Sequence, residues 1–242
     1  MNSTLFQAAA LILPLVFAIV CHEVSHGLVA RLCGDRTAQE RGRLTLNPFV
    51  HVDPIGTLVV PGMLALAHLP VFGWAKPVPV DARRMRNPRY DMMLVAAAGP
   101  ASNLLLAALS AVAIGLLLGR AGMGAAMPDR ILDGAIPTSG AGGFVLVGLV
   151  QFLAINLFLA LFNLLPIPPF DGSHIVEGLL PRGLARGYAR LRRGGMLLVI
   201  LVIVVLPRIF PGFDPIERLV GPPFDWLLNH YLALASLVAG QH

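Results

Sequence analysis

The sequence predicts an all-α polytopic membrane protein of about four to six transmembrane helices, with a small cytoplasmic β-hairpin and a re-entrant segment. Three observations predict it. Of 242 residues, 56% are hydrophobic and 13% are charged, where a soluble globular domain carries about 25% charged residues. The apolar residues gather in runs near the roughly 20 residues a helix needs to cross a bilayer core. The 18 Lys and Arg residues cluster between those runs, as they do where membrane proteins retain positive charge on the cytoplasmic side. A water-soluble domain and a disordered chain are both excluded. The net charge of +5 does not point to nucleic acid, because the basic residues punctuate apolar runs rather than form a continuous face.

Four runs have the length of a span or come close: Leu5 to Val29, Met92 to Leu118, Gly143 to Leu165, and Gly194 to Phe210. A fifth, Ile55 to Phe72, is broken by Pro61, Gly62, His68 and Pro70, and the tail from Phe224 to Ala239 is interrupted by Asp225, Asn229 and His230. Basic residues decide the layout. Residues 31–91 hold nine of them, 120–142 two, 166–193 five and 207–222 two. If 55–72 enters and leaves on one side, both large clusters become cytoplasmic, 14 against four. The N-terminus is then outside, and a polar cavity is expected beside the re-entrant element, because non-helical backbone at that depth needs cover from protein or water. Arg41-Gly-Arg-Leu-Thr-Leu-Asn47 alternates in period two and ends at a turn-forming Asn-Pro, hence the expected hairpin. The connection 120–142 is too short for a folded domain. The arginines at 182, 186, 190, 192 and 193 read as a basic helix against anionic lipid. Cys21 and Cys33 make no disulfide framework. The expectation is one domain over 1–242, with its core at 5–180 and peripheral helices at 181–242.

The chemistry lies in the first run. His22-Glu23-Val24-Ser25-His26 puts two imidazoles at i and i+4, on one helical face, where both can reach one metal ion. Glu23 can address water on that metal as a general base. Three ionisable residues within five positions of a membrane helix are costly, about 2.5–3.5 kcal/mol each on insertion scales for the charged types, and so mark function. A hydrolytic zinc site needs a third protein ligand and an open position. The run ending at Leu165 closes on Asn163-Leu-Leu-Pro-Ile-Pro-Pro-Phe-Asp-Gly172, and Asp171 is the one acid between Asp133 and Glu177. The layout brings it to the face and depth of the histidines. His174 competes as third ligand; Asp171 ranks first, since two histidines plus a carboxylate is a common hydrolase set.

These motifs resemble the site-2 proteases, intramembrane zinc metalloproteases. The resemblance rests on His22-Glu23-x-x-His26, on Asn163-x-x-Pro166 with Asp171-Gly172, and on Gly99-Pro100-Ala101-Ser102-Asn103 between them. It covers residues 5 to about 180, with Phe170 where the family usually has Leu. It implies that His22, His26 and Asp171 bind one zinc per chain and that Glu23 is catalytic. It also suggests that Asn103 contacts substrate or the oxyanion, while an interhelical hydrogen bond is the equal alternative. By position alone, His51 and Asp53 either line the cavity or orient a ligand, or they cap a turn.

The expected activity is hydrolysis of peptide bonds in or near transmembrane helices of membrane proteins. The expected setting is a bacterial or archaeal cell membrane, with the active site toward the cytoplasm, no nucleic-acid partner and no assigned oligomeric state. The rival class is a metal transporter or a metal-binding membrane protein. A transporter should show a polar path across the bilayer or paired broken helices in two halves. This sequence gathers its polar residues at one depth, and Glu23 has no use in metal binding alone.

Overall fold

The computed structural model describes residues 3–66, 73–121, 141–210 and 212–240, and they contain helices and irregular chain without a strand. Helix α1 is Ser3–Leu32, with Pro14 inside it. After α2 (Thr37–Glu40) come a 3₁₀ turn at Pro48–His51, a π-helical turn at Pro54–Val59 and α3 (Val60–Leu66). Helix α4 is Pro88–Ala121 and α5 is Ala141–Asn163. The shorter α6 (Asp171–Leu179), α7 (Arg182–Ala189), α8 (Gly195–Ile200) and α9 (Leu206–Ile209) precede α10 (Pro215–Val238).

Three helical stretches are long and apolar enough to cross a membrane: Ala9–Leu32, Pro88–Arg120 and Gly142–Asn163. They coincide with the first three runs expected to span. The fourth, Gly194 to Phe210, forms α8, a π-helical turn at Leu201–Val205 and then α9. Its hydrogen-bond register changes just ahead of Pro207, whose ring lacks the N–H that an unbroken α-helix requires there. Residues 67–72 of the expected re-entrant segment and 122–140 of the outer connection lie outside the described residues.

The chain forms two compact units. One draws on Met1–Ala18, Ala101–Leu161 and Val220–His242. Its core sets Ala107, Ala111, Ile114 and Leu118 of α4, a 4-3-4 stripe, against Leu146, Val150, Leu153 and Leu157 of α5, with Ala235 of α10. Small residues allow the approach: a Cβ at Gly115 would lie 2.4 Å from the Ala235 carbonyl oxygen. Polar groups in this core are bonded across helices, as an apolar surrounding demands. Ser110 Oγ donates to the Leu149 carbonyl at 2.8 Å. Asn103 Nδ2 donates across to Asn156 Oδ1 at 2.7 Å, while Asn156 Nδ2 donates within its own helix to the Phe152 carbonyl at 2.7 Å.

The other unit comprises Ile19–Pro100 and Phe162–Leu219. The β-hairpin expected at 41–54 from the alternation of Arg41 to Asn47 is not formed, and the reason is local. Gly42 takes a left-handed φ of +63°, and the Arg43 N–H donates back to the Ala38 carbonyl. Asn47 accepts from the Phe49 N–H and opens a 3₁₀ turn with Pro48 at its start. Side-chain acceptors and short turns satisfy the main chain that a partner strand would otherwise engage. The period-two pattern marks an irregular segment laid against α1, where Gly27 leaves room for Leu44 and Val78. His51 and Asp53 serve turns here. The His51 Nε2 lies 2.9 Å from the Thr45 carbonyl, and Asp53 Oδ1 accepts from the Ile55 and Gly56 N–H groups at 2.9 Å each.

Candidate metal centre

All elements of the site belong to the second unit. His22 and His26 project from one face of α1, as their four-residue spacing requires, and both are almost fully buried. Their Nε2 atoms are 3.1 Å apart. Asp171, in the first turn of α6, places Oδ2 3.1 Å from His22 Nε2 and 3.3 Å from His26 Nε2. Among the described residues, these three form the one cluster of His, Cys, Asp or Glu able to hold a metal ion. His174 lies one turn into α6 outside that cluster, its imidazole held below the usual range by burial and by the Arg192 charge.

The donor set fits a divalent cation. His26 Nδ1 lies 2.7 Å from the Val95 carbonyl oxygen, an acceptor, so Nδ1 carries the proton and Nε2 of the neutral ring turns a lone pair inward. Asp171 Oδ2 is buried and accepts no hydrogen bond. Lone pairs this close repel unless a cation sits among them. Two ligand atoms each about 2.0–2.1 Å from a tetrahedral zinc lie about 3.3 Å apart, close to the three separations here.

Local sequence explains how Asp171 arrives. Leu165, Ile167 and Phe170 accept or donate a chain of short turn bonds after α5, and the Phe162 and Phe170 rings pack edge to face at 4.5 Å. At Gly172 a Cβ would lie 2.1 Å from the Leu164 carbonyl oxygen, so only glycine lets α6 start there. The far end of α6 is fixed by Arg89, whose guanidinium donates to the Gly178 and Leu180 carbonyls, a cation at a helix C-terminus.

Gly99 of α4 supplies what no side chain could. A Cβ there would stand 2.5 Å from His26 Nε2 and 2.6 Å from His22 Nε2, so the missing methyl group keeps the centre open. Val95 and Gly99 are four residues apart and share one face of α4, which forms a wall of the site. The sequence marks Gly99 only as part of a motif, and the Val95 carbonyl has no signature at all.

Glu23 sits beside the first histidine, half-buried. Its Oε2 accepts the main-chain N–H of Val78 at 2.8 Å. Val78 belongs to an extended stretch that also donates from Asp81 N–H to Asp35 Oδ2 at 2.6 Å. Burial alone would raise the Asp35 carboxyl, but bonds from Thr37 and Asp81 hold it below the usual carboxylate range. Asn103 lies in the first unit, buried and bonded as described.

The Bacillus subtilis protein named "Putative zinc metalloprotease YwhC" is 36% identical over 90% of this chain and 94% of its own length. The Mycolicibacterium smegmatis protein named "Putative zinc metalloprotease Rip2" is 30% identical over 78% of this chain and 64% of its own length. No solved structure matches. Residues 10–206, which contain every residue of the site, match Peptidase family M50, and the chain belongs to that family, the site-2 proteases its motifs resemble.

Proposed function

We propose that this protein is an intramembrane zinc metalloprotease that hydrolyses peptide bonds in or near transmembrane helices of membrane-protein substrates. The observation that carries it is the convergence of His22 Nε2, His26 Nε2 and Asp171 Oδ2 within 3.1–3.3 Å of one another, with Glu23 adjacent in sequence to the first histidine. Those three residues hold one zinc ion per chain. Zinc bound there supplies Lewis acidity toward water and the scissile carbonyl. Glu23 takes a proton from the attacking water at a carboxylate oxygen and delivers it to the leaving amine. Backbone carbonyls of a helix are already hydrogen-bonded, so a substrate helix has to unwind locally before one can enter the site. For Asn103, of the two roles the sequence leaves open, the bond to Asn156 supports the interhelical one.

The match over 10–206 supports one protease domain, in which we assign the core to 5–180 and peripheral helices to 181–242. We place it in a bacterial or archaeal cell membrane with four to six spans and the metal centre toward the cytoplasm. The exposed arginines of α7 and of the turn after it are suited to contact anionic lipid. Purified protein in detergent or vesicles should cleave a membrane-anchored test substrate, and a zinc chelator should stop it. Cleavage that persists after zinc is stripped would sink the metalloprotease mechanism.

The basic-residue count supports a cytoplasmic location for 73–91. Single cysteines at Gly73 and at Asn87, in a background lacking Cys21 and Cys33, should be shielded from a membrane-impermeant thiol reagent on intact cells. Both should label once the membrane is opened. Strong labelling from outside would overturn the re-entrant layout.

A further inference from the structure

We propose that the main-chain N–H of Val78 is the positioning group for the Glu23 carboxylate, presented by a rigid strap whose sequence reserves that donor for it. The inference rests on Glu23 acting as general base in the proposed proteolysis.

The strap is Trp74 to Asp81, without regular secondary structure; the prolines after Lys76 and Val78 favour extended backbone at those residues, and Asp81 is extended. Four of its six main-chain N–H groups make hydrogen bonds among the described residues, and carbonyls along it accept as well. Trp74 N–H donates to the Gly56 carbonyl at 3.1 Å and Lys76 N–H to the His51 carbonyl at 2.8 Å. Arg43 Nη2 donates to the Lys76 carbonyl at 2.7 Å and reaches the Pro77 carbonyl at 3.3 Å. Val78 N–H donates to Glu23 Oε2 at 2.8 Å, and Asp81 N–H to Asp35 Oδ2 at 2.6 Å. Side chains add to the hold: the Trp74 indole fills the space beside Gly56, and Val78 packs into the space beside Gly27, one turn beyond Glu23 on α1.

Lys76-Pro77-Val78-Pro79-Val80 has a consequence for donors. In extended chain successive N–H groups point to opposite edges, and Pro77 and Pro79 have none. Over these five residues every N–H therefore lies on one edge, the edge that meets His51 and Glu23. Proline also fixes φ and restricts the residue before it, so the frame around Val78 has little freedom. A single unbranched carboxylate needs such a constraint. Glu23 has three side-chain torsions, and productive proton transfer requires hydrogen-bond reach to the reacting water. With Oε2 held by Val78, the carboxylate plane is set, and the second oxygen is left to take the proton.

Val78→Pro deletes the donor, and its ring suits an extended chain already flanked by prolines. Hydrogen bonds to charged groups are worth about 10- to 100-fold in an equilibrium or rate. Val78→Pro should therefore lower kcat by about that factor with KM and zinc content unchanged. Val78→Ala, which trims the side chain and keeps the donor, should retain most of kcat. Unchanged kcat in Val78→Pro overturns the proposal. So does an equal loss in Val78→Ala, which would make the side chain and not the N–H responsible, or a rise in KM alone, which would make Val78 a substrate contact.

A second measurement needs neither that variant nor activity. Amide exchange resolved to single residues should find Val78 protected in the wild-type protein. In Glu23→Ala it should exchange about tenfold faster or more, while the amides of Lys76 and Asp81 stay protected. Unaltered Val78 exchange overturns the proposal, whatever Val78→Pro does to folding or zinc. If the wild-type protein shows no chelator-sensitive cleavage, the proteolytic reading fails by itself, and exchange still decides whether Val78 holds Glu23.

Discussion

Glu23→Gln is expected to abolish proteolysis while leaving the full zinc content. Glutamine matches glutamate in length and helix propensity, so α1 and the two histidines it carries should be undisturbed. Its amide oxygen can still accept the Val78 N–H that now holds Oε2. What the substitution removes is the basicity of the second oxygen. General base catalysis contributes about 10²- to 10⁴-fold to rate, and intramembrane cleavage, which also needs the substrate helix to open, has little rate to spare. Zinc should stay because Glu23 is outside the cluster formed by His22, His26 and Asp171. Elemental analysis beside cleavage of a helical, membrane-anchored substrate separates these effects. A Glu23→Gln protein that still cleaves would falsify the assignment of the base, with or without its metal.

The parts of this site legible in the sequence are those carried by side chains at fixed spacing. His22 and His26 could be paired because a helix repeats every 3.6 residues, whatever else the chain does. Asp171 was legible from its place after an apolar run, and the structure brings its Oδ2 to the histidines. Main-chain contributions were not legible. The Val95 carbonyl that fixes the His26 tautomer and the Val78 N–H on Glu23 look like any other peptide group in a sequence. Gly99 acts through an atom it lacks, and only the position of its Cα against both Nε2 atoms reveals that. The missing hairpin has a different origin. Arg41 to Asn47 has the alternation of a strand, but the Gly42 turn, the Asn47 cap and Pro48 commit its backbone elsewhere. Local turn chemistry overrode the alternation. Hydropathy likewise found the run at Gly194 to Phe210, yet it could not foresee the change of hydrogen-bond register at Leu201–Val205 within it.

Asp171→Asn, His22→Ala and His26→Ala should each lose zinc and proteolysis together, the reverse of the separation expected at Glu23. Asp171 provides the one formal negative charge among the three converging atoms, and its Oδ2 is buried without a hydrogen bond. Asparagine keeps the shape and offers only a neutral carbonyl oxygen, or presents its amide nitrogen, which cannot coordinate. Groups that merely support a ligand are worth about 10- to 100-fold in metal affinity or activity, and a direct ligand should cost at least that. The alanine variants remove an imidazole outright and leave a space that Gly99 does not fill. His174→Ala is the informative companion. His174 stands one helical turn beyond Asp171 and outside the cluster, so its removal should leave zinc bound and activity reduced at most modestly. Zinc per protein for all four variants decides the third ligand. Full zinc in Asp171→Asn with loss in His174→Ala would transfer that role to His174. It would also require α6 to rotate from the position in which Asp171 Oδ2 lies 3.1 Å from His22 Nε2, which amide exchange along 171–179 would detect.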